Sequence, residues 1–310
     1  MDEREDRIML PPVRTLLRGA LARFPLRWPV LMASALVLLV WSNPLLTTHA
    51  RPSDPAPGEL RIATWNMCGV QQWNCQNTGS GAQKIRALKR LATADGARVF
   101  LLQEVCAGDL ATARRELGNG WRSTFRPYTF RDAEGLRTEV RCGEHRQGPA
   151  GLAILALSSL AGASALPTQQ PAVGLHRGIL CATVATHRVR VCNAHLSLPG
   201  SDRAHPNWEF RDDQLKSLVV AATERTVFGG DLNIAPPSAA NENRRIWPAE
   251  AYLRYRECDQ ASASSRGGRA TLLSGHKVDY LFTALPRTHC SVRATEASDH
   301  LALIMQIATV

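Results

Sequence analysis

Eight short β-rich runs constrain what this 310-residue chain can fold into. They are Leu60–Asn66, Val99–Glu104, Gly151–Leu157, Ile179–Ala185, Val189–Leu196, Thr226–Asn233, Lys277–Thr283 and Leu301–Ile307. Eight strands of this length need more than one small sheet. Between them, Ile85, Leu88 and Leu91 fall at helical spacing. Leu215, Leu218, Val219 and Ala222 make an i, i+3, i+4, i+7 stripe that reads as core-facing. Helices interspersed with strands, several arranged as hairpins, predict an α+β fold in which helices cover the outer faces of two packed sheets.

Export is read from the N-terminus. Arg4, Arg7, Arg14, Arg18, Arg23 and Arg27 precede an apolar run from Val30 to Trp41. That run is shorter than the ~20 residues of a spanning helix, and Thr48-His49-Ala50 offers small residues at both cleavage-site positions. Residues 1–50 are therefore expected to be a signal peptide, or else an uncleaved membrane anchor. Either way the remainder is secreted or held outside the membrane. Residues 51–58, RPSDPAPG, read as a linker, and the domain as 59–310.

Outside the cytoplasm thiols oxidise, and the eight cysteines are an even number. Cys68, Cys75, Cys106, Cys142, Cys181, Cys192, Cys258 and Cys290 lack zinc-site spacing, so four disulfides are expected. Cys181 and Cys192 flank Ala182–Val191, which reads as a β-hairpin that they could meet across. The formal net charge is +10, and residues 1–50, with six Arg and four acids, leave +8 on the rest. A basic surface attracts polyanions, although Arg-rich composition alone produces the same balance.

Polar residues concentrate at strand ends. Asn66 ends the first run, Glu104 the second, and His195 closes the hairpin. Asp231 and Asn233 follow the apolar TVF, Asp279 lies within KVDYLF, and Asp299-His300 precede the last run. Any one of these could be a turn or cap residue. Together they have the composition for phosphoester hydrolysis: hard oxygen ligands for a divalent cation, two histidines, and amide donors.

TWNM with Asn66, LLQE with Glu104, NAHL with His195, GDLN with Asp231 and Asn233, KVDYLF with Asp279 and SDH with Asp299 and His300 resemble, in order, the motifs of the endonuclease/exonuclease/phosphatase superfamily. The resemblance implies a four-layer α/β/β/α sandwich of two packed mixed sheets flanked by helices, with the site at one edge. It implies Mg2+ bound by Glu104 and Asp299 with support from Asn66, and Mn2+ or Ca2+ as a substitute or accessory ion. His300 would be the general base, oriented by Asp279. His195 would protonate the leaving oxygen or stabilise phosphoryl charge, and Asp231 and Asn233 would orient nucleophile and phosphate.

Arg177 and Arg211 are candidate phosphate contacts. In two branches of the family a Glu or a Tyr partners the first histidine; His145–Leu155 offers neither, which leaves the partner of His195 unassigned. DNA is the expected substrate, with a DNase-like endonuclease activity, and a phospholipid or inositol phosphate is the alternative. Trp208 and Phe210 are the only candidates for a membrane-facing loop, or else pack the following helix. A binding module without catalysis would lack one of these groups, and none is missing. No protein partner is inferable.

Overall fold

The computed structural model describes residues 58–73, 78–143, 147–238 and 242–310. The expected signal segment, most of the linker and Cys75 lie outside the described residues. Strands in chain order begin with β1 (Glu59–Asn66), β2 (Val99–Cys106), β3 (Arg122–Pro127), β4 (Thr129–Arg131) and β5 (Arg137–Glu139). They continue with β6 (Ala150–Ala156), β7 (Leu160–Leu166), β8 (Gly174–His176), β9 (Gly178–Val184) and β10 (Val189–His195). The last are β11 (Thr226–Asp231), β12 (Arg256–Glu257), β13 (Asp279–Thr283), β14 (Arg287–Arg293) and β15 (Ala302–Ala308). Helices are α1 (Gly81–Thr93), α2 (Ala107–Leu117), α3 (Arg211–Val220) and α4 (Glu250–Leu253).

Two six-stranded sheets result, ordered β14-β15-β1-β2-β6-β3 and β12-β13-β11-β10-β9-β7, beside a small sheet β5-β4-β8. Both large sheets are mixed. In the first, β1 runs parallel to β2 and antiparallel to β15; in the second, β11 runs parallel to β10 and antiparallel to β13. Their inner faces form one apolar core, with Leu60, Ile62, Leu101 and Ile154 from one sheet against Leu180, Val191, Val227 and Leu281 from the other. Each such side chain contributes roughly 1.5–3 kcal/mol on burial.

The outer faces are covered by helices, completing the expected four layers. Leu88 and Leu91 of α1 and Leu110 of α2 pack on Trp65, Phe100 and Leu102. Leu215, Leu218 and Val219 of α3, with Ala251 and Tyr252 of α4, pack on Phe228, Tyr280 and Phe282. A capping box of Ser80 and Gln83 starts α1, satisfying two backbone donors that have no partner within the helix.

All eight expected strands form, and the additional elements are those with weak apolar patterns. Strand β7, LAGASAL, is mostly exposed at a sheet edge, and β3 to β5 are Arg- and Thr-rich. Helix α2 buries only Leu110 and Ala113, too few for a visible stripe. Ala222 is buried although α3 ends before it.

The expected pairing of Cys181 with Cys192 is present: they are register partners in the β9–β10 hairpin and are disulfide-bonded. Cys106–Cys142 and Cys258–Cys290 tie β2 and β14 to distant chain, and Cys68 is disulfide-bonded as well.

The loop after β10 is clasped by one carboxylate. Asp202, fully buried, accepts hydrogen bonds from the backbone N–H groups of Ala172 (2.7 Å), Val173 (3.3 Å) and Ala204 (2.9 Å). Burial alone would raise its pKa, but these bonds and the His205 side chain outweigh burial and bring it to about 2. The folded value lies below the unfolded ~3.9, so the stabilisation is complete above about pH 4 and is lost as pH falls toward 2. Asp202→Asn is expected to lower Tm at pH 7, with the gap to wild type closing at pH values where Asp202 is protonated; equal Tm at pH 7 would contradict this.

Candidate active site

Strand register brings the polar strand ends together. In the second sheet, His195 of β10 pairs with Asp231 of β11, and Asp231 pairs with Asp279 of β13, a row of three across neighbouring strands. The row is tight because of Gly230: at φ 128° it takes a backbone conformation that favours glycine, and a Cβ there would collide with the Ala194 carbonyl. The first sheet supplies Asn66 from the end of β1 and Glu104 from β2.

Glu104 sits in the left-handed region, at φ 50°, where the β2–β6 register shifts between Leu102 and Val105. Such a bulge re-aims a side chain that regular pleating would send elsewhere. The two sheets join at Asn66, whose Nδ2 donates to Glu104 Oε1 at 3.1 Å and to Asp231 Oδ2 at 3.0 Å. Its Oδ1 accepts from the backbone N–H of Cys68.

His300 and Asp279 form a pair, Nδ1 to Oδ2 at 2.9 Å, and His300 Nε2 lies 3.8 Å from Asp231 Oδ2. The backbone around His300 is fixed to the first sheet: Trp65 Nε1 donates to its carbonyl, and Ser298 Oγ donates to the carbonyl of Asn66. Burial disfavours charge on His300, but Asp279, Asp231 and Asp299 outweigh it and hold the imidazole up to about 10. His195 moves the other way: burial, then Arg177 and His300, push it well below its ordinary value.

The unassigned partner of His195 is Tyr128, about twenty residues before the stretch where the sequence pointed. Its hydroxyl lies 2.7 Å from His195 Nδ1 and accepts the backbone N–H of Glu104 at 3.1 Å. Since that N–H can only donate, the hydroxyl proton is free to point at Nδ1. Nδ1 is then the acceptor, and Nε2–H faces Asp231 Oδ2 at 3.4 Å. The signal in the sequence was weak: Tyr128 sits in RPYTF between two short, half-buried strands.

Two cations also belong here. Lys84 of α1 is 3% exposed and donates to the carbonyls of Met67 (2.6 Å), Ala297 (2.8 Å) and Thr78, which joins the segments following Asn66 and preceding Asp299. Burial lowers its pKa to about 8 against the pull of Asp109, Glu104 and Asp299. Nothing in its helical spacing marked it. Arg177 is 6% exposed, acts electrostatically on both Glu104 and His195, and keeps a buried Nε that, among the described residues, no side chain or backbone group engages.

Arg211, by contrast, is not available to a phosphate: it is bound by Glu209 at 2.6–2.9 Å and by the Asn233 carbonyl. Asn233, at φ 51°, donates Nδ2 to the Leu196 carbonyl and its N–H to Asp231 Oδ1, so it fixes the Asp231 turn. Phe210, at the N-cap of α3, is buried, whereas Trp208 is 53% exposed and stacked on His205 at 3.7 Å.

The residues fit a divalent cation. Glu104 is 6% exposed, and burial pushes it up to about 7 against the opposing Asn66 hydrogen bond and Arg177. A nearby positive ion is what such a carboxylate needs to ionise. Asp299, partly exposed, and Glu104 both act electrostatically on Lys84. Asp231, Asp279 and His300 offer a second grouping, with ligand atoms within 4.8 Å of one another.

A sequence-family model described as the Endonuclease/Exonuclease/phosphatase family matches residues 63–300. No curated protein sequence matches the chain. Solved structures share the fold at low identity. D. rerio TDP2 humanized by 14 mutations is 15% identical with TM-score 0.56, covering 80% of this chain and 98% of its own. The 3′-5′ exonuclease NExo from Neisseria meningitidis is 17% identical with TM-score 0.56, covering 80% and 99%. A Neisseria 3′ phosphatase NExo bound to product DNA hairpin is 17% identical with TM-score 0.54, covering 80% and 99%. With six motifs in order and a family match spanning most of its length, the chain belongs to the endonuclease/exonuclease/phosphatase family of metal-dependent phosphoester hydrolases.

Proposed function

We propose that this protein is an exported, Mg2+-dependent phosphodiesterase that cuts DNA as an endonuclease. The observation that carries the reading is the convergence of Asn66, Glu104, His195, Asp231, Asp279 and His300 from both sheets into one buried cluster joined by hydrogen bonds and by contacts of 3.4 and 3.8 Å from the two histidines to Asp231. The basic excess of the chain and the DNA carried by one structural neighbour favour nucleic acid as the phosphoester. The disulfides favour export, with residues 1–50 as signal peptide or anchor, 51–58 as linker and 59–310 as catalytic domain.

Glu104 and Asp299, with Asn66 in support, would hold Mg2+, for which Mn2+ or Ca2+ could substitute or serve as an accessory ion. When bound, the ion neutralises charge on the phosphoryl oxygens. His300, with Nδ1–H on Asp279, presents Nε2 to accept the proton of the attacking water. The carboxylates that raise its pKa are close to the cation's ligands, so the loaded site brings it toward the working range. His195 is kept neutral and donates from Nε2–H, which favours stabilising phosphoryl charge over delivering a proton. Asp231, in the turn that Asn233 fixes, orients the water and the phosphate, and Arg177 adds positive charge to the field around them.

The test is supercoiled plasmid with the purified full-length protein, with Mg2+ or with EDTA, beside phospholipid vesicles. Nicking that EDTA abolishes is expected; intact plasmid with released phosphorylated head group would move the substrate to lipid. His300→Ala should lose about 10²–10⁴-fold in nicking rate with an unchanged circular dichroism spectrum. A folded variant of near-wild-type rate would remove His300 from the mechanism.

Two further outcomes follow from the pKa directions. Nitrogen NMR of His300 should show a pKa near 10 without metal that falls when Mg2+ is added; an unchanged value would separate His300 from the cation site. Tyr128→Phe should cost about ten- to hundredfold in rate and release His195 from a single tautomer in the same spectra. A fixed tautomer in that variant would show that something other than Tyr128 orients the ring.

A further inference from the structure

Next to the active site, β3, the small sheet β5-β4-β8 and the chain following β7 line an open cavity of about 290 Å³. Its lining includes Arg126, Arg131, Arg137, Gln170 and His176. Register sets Arg131 directly opposite Arg137 across β4 and β5. Like charges so placed are destabilising unless something negative lies between them. Among the described residues, no carboxylate lies within 4.0 Å of any of the three guanidinium groups, whereas Arg211, Arg269 and Arg293 each have such a partner.

The cavity adjoins the catalytic row. Arg126 Nη1 reaches the Ile179 carbonyl at 3.4 Å and lies against Gly178, where a Cβ would meet it at 2.6 Å. Gly178 is the register partner of His195. His176, 8% exposed, is anchored through Nε2 to the Pro171 carbonyl at 2.8 Å. Burial lowers its pKa against that hydrogen bond, and Arg137, Arg131 and Arg126 lower it further, so a neutral ring sits amid three fixed positive charges. His176, Arg177 and Gly178 are consecutive, and Arg177 belongs to the field of Glu104 and His195.

We propose that the Arg126–Arg131–Arg137 cavity is a second phosphate subsite, which holds a phosphate of the DNA strand other than the one being cut. The inference rests on the DNA reading given above. Guanidinium forks suit phosphate oxygens, and three of them without carboxylate partners supply donors in excess of what the protein consumes. The short span between Arg177 and the cavity wall ties the two subsites into one track, so the protein grips a polymer and not an isolated phosphoester. Strands β3, β4 and β5, weakly patterned as core elements, then have a purpose in presenting these side chains.

The experiment is fluorescence anisotropy of a short labelled DNA duplex with the full-length protein in EDTA, over a series of salt concentrations. Arg126→Gln/Arg131→Gln/Arg137→Gln is compared with Arg114→Gln/Arg115→Gln/Arg122→Gln. The second triple removes the same charge from a separate arginine-lined cavity at the end of α2. The first is expected to weaken binding about tenfold and to lower the slope of log K against log salt by about 0.9 for each phosphate no longer neutralised; the second should leave the slope unchanged. Equal weakening by both triples, or by neither, overturns the proposal. If the first triple fails to fold by circular dichroism, the exposed single variant Arg137→Gln carries the same test. Plasmid nicking in parallel separates the failures: a wild type that nicks and binds while the triples behave alike overturns the subsite alone, and a wild type that neither nicks nor binds DNA overturns both readings.

Discussion

Asn66 is the side chain on which the arrangement of the site depends. It ends the central strand of one sheet, and its amide donates both to Glu104 of that sheet and to Asp231 of the other. Two sheets packed through apolar side chains could slide with little penalty, because dispersion and burial carry no direction. Directional bonds remove that freedom. A second set lies deeper: Gln103 Nε2 donates to Asn193 Oδ1 at 2.7 Å, and Asn193 Nδ2 donates across to the carbonyls of Leu102 and Ala153. Leaving any of these buried groups unpaired costs about 1–3 kcal/mol, so the sheets meet in one register.

From that register the chemistry follows. Both histidines approach Asp231, but His195 has in addition a phenol and the field of Arg177, and His300 has Asp279 and the field of Asp299. Environments that push two titratable groups apart suit them to different work, and this difference is what the proposed division between a neutral donor and a proton acceptor rests on. Lys84 contributes without touching either, by holding the backbones that flank Asn66 and Asp299.

Most of this was legible in the sequence for one reason: the site is built at strand ends, where an apolar run stops at a polar residue. That is how Asn66, Glu104, His195, Asp231, Asp279 and His300 stood out, and the strands that hold them were the strongly apolar ones. What the sequence does not mark lies on elements without such contrast. Tyr128 sits between two short half-buried strands and reaches His195 only through the tertiary fold; Lys84 occupies a helix where a lysine looks like any solvated residue. Arg211 shows the converse error. It follows Glu209 closely in sequence, and the bidentate contact between them occupies the guanidinium that was offered to phosphate.

The proposed mechanism puts the cation with Glu104 and Asp299 and reserves Asp279 and His300 for proton transfer, although Asp231, Asp279 and His300 could themselves gather around a metal. Anomalous diffraction from crystals soaked in Mn2+ separates the two most directly. A peak within coordination distance of the Glu104 carboxylate is expected, with none on His300. A peak bound by Asp231, Asp279 and His300 Nε2 would occupy the nitrogen that must accept the proton, and would contradict the mechanism.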